Sequence, residues 1–337
     1  MRSATSGSRM PVSETRACVF SFLLDFARDE WAQMGVFIAT ARRDTWAQDP
    51  EALLLFSLEI GRDDARFFDE LLDWLRANGD IVSGRRLVAL ARHDPAFPIV
   101  GAAIEWAARH GSLLRLGSGL AGPPGEPVSL FRNAGVPGRS DQIFLSHGLL
   151  KPPTSPSGKS VAPKLELPIN LAFRLRRHFG VSARAEIVRF LLTTGVPNAT
   201  ALAISAAAAS TKRNVSEALA NLSAAGDVER SWVGNEARYG IDRERWAAFL
   251  GLDPDRIPGH RDWPQLLHAL TEIRRWFARP DLDELSDYQR ASEARRLLER
   301  LKPGLGHAGV PISDAGLGAD YWPTFVANVE AVLARIE

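Results

Sequence analysis

The stretch from Asn198 to Asp242, NATALAISAAAASTKRNVSEALANLSAAGDVERSWVGNEARYGID, changes its hydrophobic period twice, and few folds accommodate that order. Residues Ala199 to Ala209 are small and apolar, with Leu202 and Ile204 as the larger members, which predicts a short, tightly packed helix. Ser210 and Thr211 are good N-cap residues, and Val215, Ala218, Leu219 and Leu222 then recur at the spacing of a helix with one buried face. Gly226 stands where a left-handed residue is wanted to end that helix. Beyond it the period drops to two. Val228, Arg230 and Trp232 alternate with Glu229 and Ser231, Gly234-Asn235 offers a tight turn, and Ala237, Tyr239 and Ile241 alternate with Arg238 and Gly240. That pattern predicts a β-hairpin. Upstream, Ala185 to Thr194, with Ile187, Val188, Leu191 and Leu192, predicts a further helix to pack against the pair.

Helix, polar turn, helix, glycine, two-stranded ribbon is the order of a winged helix-turn-helix, and residues of about 168–250 resemble the MarR-like and ArsR-like winged-helix transcriptional regulators. The resemblance implies three helices plus a hairpin wing over 164–252; the apolar spacing of the rest predicts a mainly α chain, helical at its N- and C-terminal ends too. It also implies sequence-specific binding of double-stranded DNA by a bacterial regulator, with helix 211–225 in the major groove and wing 227–241 on the backbone or in the minor groove. With Val215, Leu219 and Leu222 turned inward, the exposed side of that helix opens with Lys212, Arg213 and Asn214 and continues through Ser216, Glu217 and Asn221. Arg and Lys address guanine O6 and N7, Asn pairs with adenine, Glu accepts from cytosine N4, and Ser or Thr holds phosphate. Thr211 and Lys212, at a helix start with free backbone N–H groups, suit a phosphate, and Thr200 joins this set one helix earlier. In the wing, Arg230, Asn235 and Arg238 are the candidate contacts. The competing reading of the same residues is a helix face that is merely solvated.

Net charge is only +1, so the chain is no generic polyanion binder, but the charge is unevenly spread. Lys151 to Arg245 holds 14 Lys or Arg against 8 Asp or Glu, whereas Glu14 to His110 holds 11 against 16. The basic excess, much of it in Lys164, Arg174, Arg176, Arg177, Arg184 and Arg189, falls where a phosphate footprint is expected. A single cysteine, Cys18, excludes an internal disulfide or a multi-cysteine zinc site and suits a cytoplasmic protein; its apolar surroundings, Ala17 to Leu24, predict a buried packing thiol. No stretch has the roughly 18 uninterrupted apolar residues of a membrane span. Residues 1–13 read as a disordered lead-in with no signal-peptide core.

Residues 14–116 read as a helical N-terminal domain, with Val12 to Ala32 carrying an apolar stripe and Asp49-Pro50 opening an amphipathic helix. Phe68, Leu71, Leu72 and Leu75, ending in Gly79-Asp80-Ile81, repeat Val215, Ala218, Leu219 and Leu222, ending in Gly226-Asp227-Val228, at a constant offset of 147. This spacing suggests a degenerate winged helix at 50–92, with Ser83-Gly84 turning a second wing; two unrelated amphipathic helices sharing a glycine stop fit equally. Its candidate reading helix would expose Asp63, Asp64, Asp69, Glu70 and Asp73, which repel phosphate and suit a protein partner. Residues 117–163 are rich in Gly, Pro and Ser and read as a linker with short ordered pieces at Val128 to Phe131 and Gln142 to Leu150. The C-terminal region 253–337 reads as helices Asp262 to Ala278, Leu282 to Leu301 (broken at Lys302-Pro303-Gly304) and Tyr321 to Ile336. Such helices serve either a homodimer or packing onto the N-terminal region.

Enzyme motifs are absent from the sequence. The histidines lack the three-to-five-residue spacing of a helical zinc site, Ser146-His147 has no nucleophile elbow, and no phosphate-binding or dinucleotide glycine motif occurs. The reading is therefore a non-enzymatic DNA-binding protein that needs no cofactor. The alternative is an antitoxin-like protein-interaction module whose winged helix is structural or autoregulatory and whose acidic N-terminal domain holds the partner.

Overall fold

The computed structural model describes residues 11–40, 42, 45–92, 94–115 and 125–337. The chain is mainly helical with a small antiparallel sheet of three strands, and no helix among the described residues is long and apolar enough to cross a membrane. It divides into two compact units, one of residues 27–261 and one of the described residues up to Phe26 together with Asp262–Glu337.

The first helix, α1 (Val12–Gln33), contributes to both units. Val12, Val19, Leu23 and Phe26 mark its buried stripe, and Cys18, one position off that stripe, is exposed. The expected buried thiol is thus a solvent-facing one. The apolar run around it is real, but the helical rotation between Cys18 and Val19 separates them. Residues 1–10 of the expected lead-in lie outside the described residues, and helix already begins at Val12.

In the larger unit α2 (Pro50–Ile60), α3 (Ala65–Asn78), α4 (Gly84–Ala91) and α5 (Phe97–Arg109) follow. Asp49 caps α2 by accepting from the Ala52 N–H at 3.1 Å, with Pro50 in the first turn. Only Leu55 of α2 is not fully buried, so the expected amphipathic helix is a core helix, and even Glu51 lies inside. The 147-residue echo holds as far as the capping residue: Asp64 caps α3 as Thr211 caps its counterpart. It then fails. Gly79 stays right-handed at φ −65° and enters a 3-10 turn, and Ser83 caps α4 instead of turning a hairpin. Gly79 serves close approach, since a Cβ there would meet Ser112 Oγ at 2.0 Å. There is accordingly no second wing at 81–92.

The described part of the Gly/Pro/Ser-rich segment is ordered against this framework. β1 (Val128–Ser129) pairs in parallel with β2 (Leu149–Leu150), either side of α6 (Gln142–Ser146). Residues 154–160 lie along α3, where Asp73 accepts from the Gly158 N–H (3.0 Å) and Ser160 N–H (3.1 Å), Glu70 from Ser157 Oγ and Asp69 from Thr154 Oγ. Burial pushes the Asp73 carboxyl up, and the Ser160 and Gly158 amides outweigh it and hold the group below the usual carboxylate range. Of the five acids expected to face outward, Asp69, Glu70 and Asp73 therefore serve as acceptors for residues 154–160, and Asp64 is a cap. The glycines at 117, 119 and 122 lie outside the described residues.

Downstream come α7 (Leu171–Phe179), α8 (Ala183–Thr194), β3 (Ala199–Thr200), α9 (Ala201–Ala207), α10 (Lys212–Ala224), β4 (Glu229–Val233), β5 (Glu236–Gly240) and α11 (Arg243–Leu250). Strand order is β3-β5-β4, with Thr200 opposite Arg238 and Val233 opposite Glu236. Leu175, Ile187, Leu191, Ile204, Val215, Leu219, Leu222, Val228 and Trp246 share one apolar core. Each such side chain contributes about 1.5–3 kcal/mol by leaving water.

The smaller unit holds α12 (Trp263–Phe277), α13 (Asp287–His307) and α14 (Tyr321–Ala334). Trp276, Phe277, Trp322 and Phe325 pack their rings together at tilted and edge-on angles, with Trp276 and Phe325 at 5.0 Å between ring centres. The expected break at Pro303 does not occur, and α13 runs on to His307. Leu301 and Leu305 are both buried on the far and near sides of the proline, so packing offsets the roughly 3 kcal/mol that an interior proline costs.

Candidate nucleic-acid interface

The site is built on the α9–α10 turn. Thr200 Oγ accepts from the Ala203 N–H at 3.0 Å, which starts α9 and leaves its hydroxyl occupied and half-buried. The turn passes through Ala209, at φ +45° the one non-glycine residue with positive φ among the described residues. Thr211 Oγ then accepts from the Asn214 N–H at 3.3 Å. The Lys212 and Arg213 amides, at the first two positions, have no partner within the helix and point away from its start.

Val215, Ala218, Leu219 and Leu222 are buried, as their spacing predicts, and Lys212, Arg213, Asn214, Ser216, Glu217 and Asn221 are all exposed. At 100° per residue Arg213, Glu217, Ala220 and Ala224 lie opposite the core. That line carries one cation, one anion and two small side chains, so the helix backbone itself can come close to a facing surface. Among the described residues neither Lys212 nor Arg213 forms an ion pair.

The hairpin turns at Gly234, φ +60°, with Asn235 exposed at the tip. Trp232, 61% exposed, has the Arg230 guanidinium 4.7 Å from its ring centre, which orients that cation while leaving it accessible. Arg238 differs from Arg230. It is half-buried, donates to the Asn198 carbonyl at 3.4 Å and pairs with Glu236 at 2.9 Å, so its charge is partly spent inside the sheet. Of the residues singled out from the sequence, those on α10 share one exposed face, Arg230 and Asn235 are free on the hairpin, and Thr200 and Arg238 do internal structural work.

The basic excess upstream is mostly consumed. Arg176 is fully buried, donating to both oxygens of Glu51 at 2.7 Å, to Glu186 at 2.7 and 3.1 Å and to the Ile81 carbonyl at 2.8 Å. Arg189 pairs with Glu186 (2.9 Å) and Asp49 (3.3 Å), and Arg86 with Asp49 and with Glu51 (3.3 Å). Three carboxylates and three guanidiniums thus balance between α2, α4, α7 and α8. Burial opposes ionisation of Glu186, but Arg176, Arg189 and Arg86 prevail and hold it far below the ordinary glutamate range. Arg176, which burial alone would weaken as a base, is held more firmly charged by Glu51 and Glu186. Arg177 pairs with Asp80, and Arg174 donates to the Leu250 carbonyl. Of that upstream group Lys164, Arg177 and Arg184 remain exposed, Arg177 with Asp80 as its partner, so the outward positive charge is smaller than composition suggests.

Two features escape sequence reasoning. Arg86 Nη1 donates to the Ala207 carbonyl at 3.2 Å, so a helix more than a hundred residues upstream caps α9 and steadies the turn before α10. Beside α10 a cleft of about 390 Å³ is lined by Asn214, Glu217 and Asn221 on one side and by Ser83, Arg85 and Arg184 on the other. The only trace of it in the sequence is the Arg85-Arg86 pair after Ser83-Gly84. No family model, no curated protein and no solved structure matches the chain.

Proposed function

We propose that residues 171–241 form a winged helix-turn-helix and that the protein binds double-stranded DNA sequence-specifically as a transcriptional regulator. The observation that carries this reading is α10: a capped helix whose inward face is wholly apolar and whose outward face presents Lys212, Arg213, Asn214, Ser216, Glu217 and Asn221 to solvent. The order α8, β3, α9, α10, β4, β5, with β3 added to the hairpin, is what a winged unit requires to fix such a helix on a rigid base. Arg213 and Asn214 address base edges, Lys212 and the first-turn amides a phosphate, and Arg230 and Asn235 the backbone beside the wing.

The antitoxin-like alternative requires an acidic N-terminal surface. Glu70 and Asp73 are buried as acceptors for residues 157–160, which removes much of that surface and favours the DNA reading. The test is recovery of bound fragments from genomic DNA, followed by gel shifts of the selected duplex against a scrambled one across a salt series. The expected result is preference for the selected duplex, lost in the Lys212→Ala/Arg213→Ala variant; equal, weak retention of both duplexes by the wild type refutes it.

A further inference from the structure

We infer that the cleft flanking α10 holds a backbone phosphate of the bound duplex, so that Arg85, from α4 in the N-terminal helices, is part of the nucleic-acid interface. The inference rests on the DNA-binding reading and extends it beyond the helix-turn-helix.

The cleft is formed by three pieces of chain that the sequence keeps far apart: the start of α4, the start of α8 with Val181 and Ser182 before it, and the turn and flank of α9–α10. Arg85 and Arg184 approach from the first two. Both are exposed, and neither side chain makes an ion pair or hydrogen bond among the described residues, in contrast to those of Arg86 and Arg176. The negative groups in the cleft are Glu186 and Glu217. Glu186 is already neutralised by Arg176 and Arg189, and Glu217 is one charge against two free guanidiniums. The surplus is positive. Polar hydrogen-bonding groups complete the lining, with Ser182, Ser210, Asn214 and Asn221 between the charges.

The α8 end adds to this. Ser182 precedes the helix but donates to the Phe179 carbonyl (3.1 Å) and makes no cap bond, so the first-turn amides of α8 are left for an external acceptor. The volume of the cleft holds on the order of ten waters, enough for a phosphate to enter with part of its hydration shell. Continuity decides the occupant. Asn214, Glu217 and Asn221 belong both to the cleft and to the face proposed to enter the groove, so a strand lying against α10 must run past Arg85 and Arg184.

The experiment uses the full chain and the duplex recovered as above, with a scrambled duplex beside it, measured by fluorescence anisotropy between 50 and 300 mM salt. Arg85→Ala and Arg184→Ala are each expected to weaken both duplexes by roughly three- to tenfold and to reduce the slope of log affinity against log salt by about 1. Arg139→Ala, exposed and outside the cleft, controls for net charge, and far-UV circular dichroism controls for folding. An unchanged slope in the Arg85→Ala/Arg184→Ala variant, or a loss matched by Arg139→Ala, overturns the inference while Arg213→Ala still tests the reading itself. Absence of any duplex binding by the wild type removes both.

Discussion

Replacing Arg176 by methionine probes the strongest physical commitment in the larger unit. The substitution keeps most of the stem volume and removes the guanidinium that satisfies Glu51, Glu186 and the Ile81 carbonyl at once. Glu51 retains Arg86 at 3.3 Å and the Ser83 N–H at 2.7 Å, and Glu186 retains Arg189 at 2.9 Å, so neither carboxylate is stranded, but three acids then face two cations. Breaking a buried ion pair from one side costs about 3–5 kcal/mol, which is the expected loss. In urea unfolding followed by circular dichroism and tryptophan fluorescence, it moves the midpoint of the larger unit by about 1–2 M. The pH dependence carries a sign. Glu186 is depressed in the fold, so its contribution is fully present above the ordinary glutamate value of 4.5 and fades as pH falls below it. The gap between wild type and variant is therefore widest at neutral pH and narrows on acidification. Arg176→Met/Glu51→Gln restores charge balance and is expected to be more stable than Arg176→Met alone. A loss under about 1 kcal/mol, or a gap that widens in acid, refutes the reasoning.

Three further outcomes are expected. Arg213→Ala costs about 1–3 kcal/mol of discrimination at one base pair, read as a relaxed preference in a selected-site library, whereas Lys212→Ala weakens all sequences alike. Ala209→Gly relieves the left-handed strain at φ +45° and, after the entropy of the added glycine, raises thermal stability by roughly 0.5–1 kcal/mol; a lower melting temperature contradicts this. His260 is pushed down to about 4 by burial and by the neighbouring Arg189, so it folds neutral. Stability linked to it is complete above the ordinary value of 6.5 and is lost as pH drops from there towards 4; imidazole proton shifts that titrate near 6.5 in the native state would contradict that.

The part of the chain that was legible in sequence is the part where neighbours along the chain decide the outcome. Thr211 caps its helix, Val215 to Leu222 turn inward, Gly226 is left-handed at φ +74°, and Gly234-Asn235 turns the hairpin, all from local chemistry. β3 was invisible because two residues, Ala199 and Thr200, carry no alternation and pair with Tyr239 and Arg238 about forty positions away. Gly79 and Pro303 depart from their local habit for a related reason: a close approach to Ser112 and burial of Leu305 decide their places. The arginines of the ion network gave no sign of burial, since a partner such as Glu51 lies 125 residues from Arg176. Arg184 is visible in the sequence only as one of a basic group, and its meeting with Arg85 is hidden, because a cleft is a property of three dimensions.

The balanced knot of Asp49, Glu51, Glu186, Arg86, Arg176 and Arg189 also governs how this protein can be taken apart. Scission within the Gly/Pro/Ser-rich stretch, the cut that composition invites, strands two arginines with one acid on the C-terminal fragment and one arginine with two acids on the other. Each fragment would carry an unneutralised interior charge, and the cut would also part the start of the chain from Asp262–Glu337, with which it forms one unit. Dissection that separates them would assay two damaged pieces, and the carbonyl of Ala207 would lose the upstream guanidinium that steadies the turn into α10.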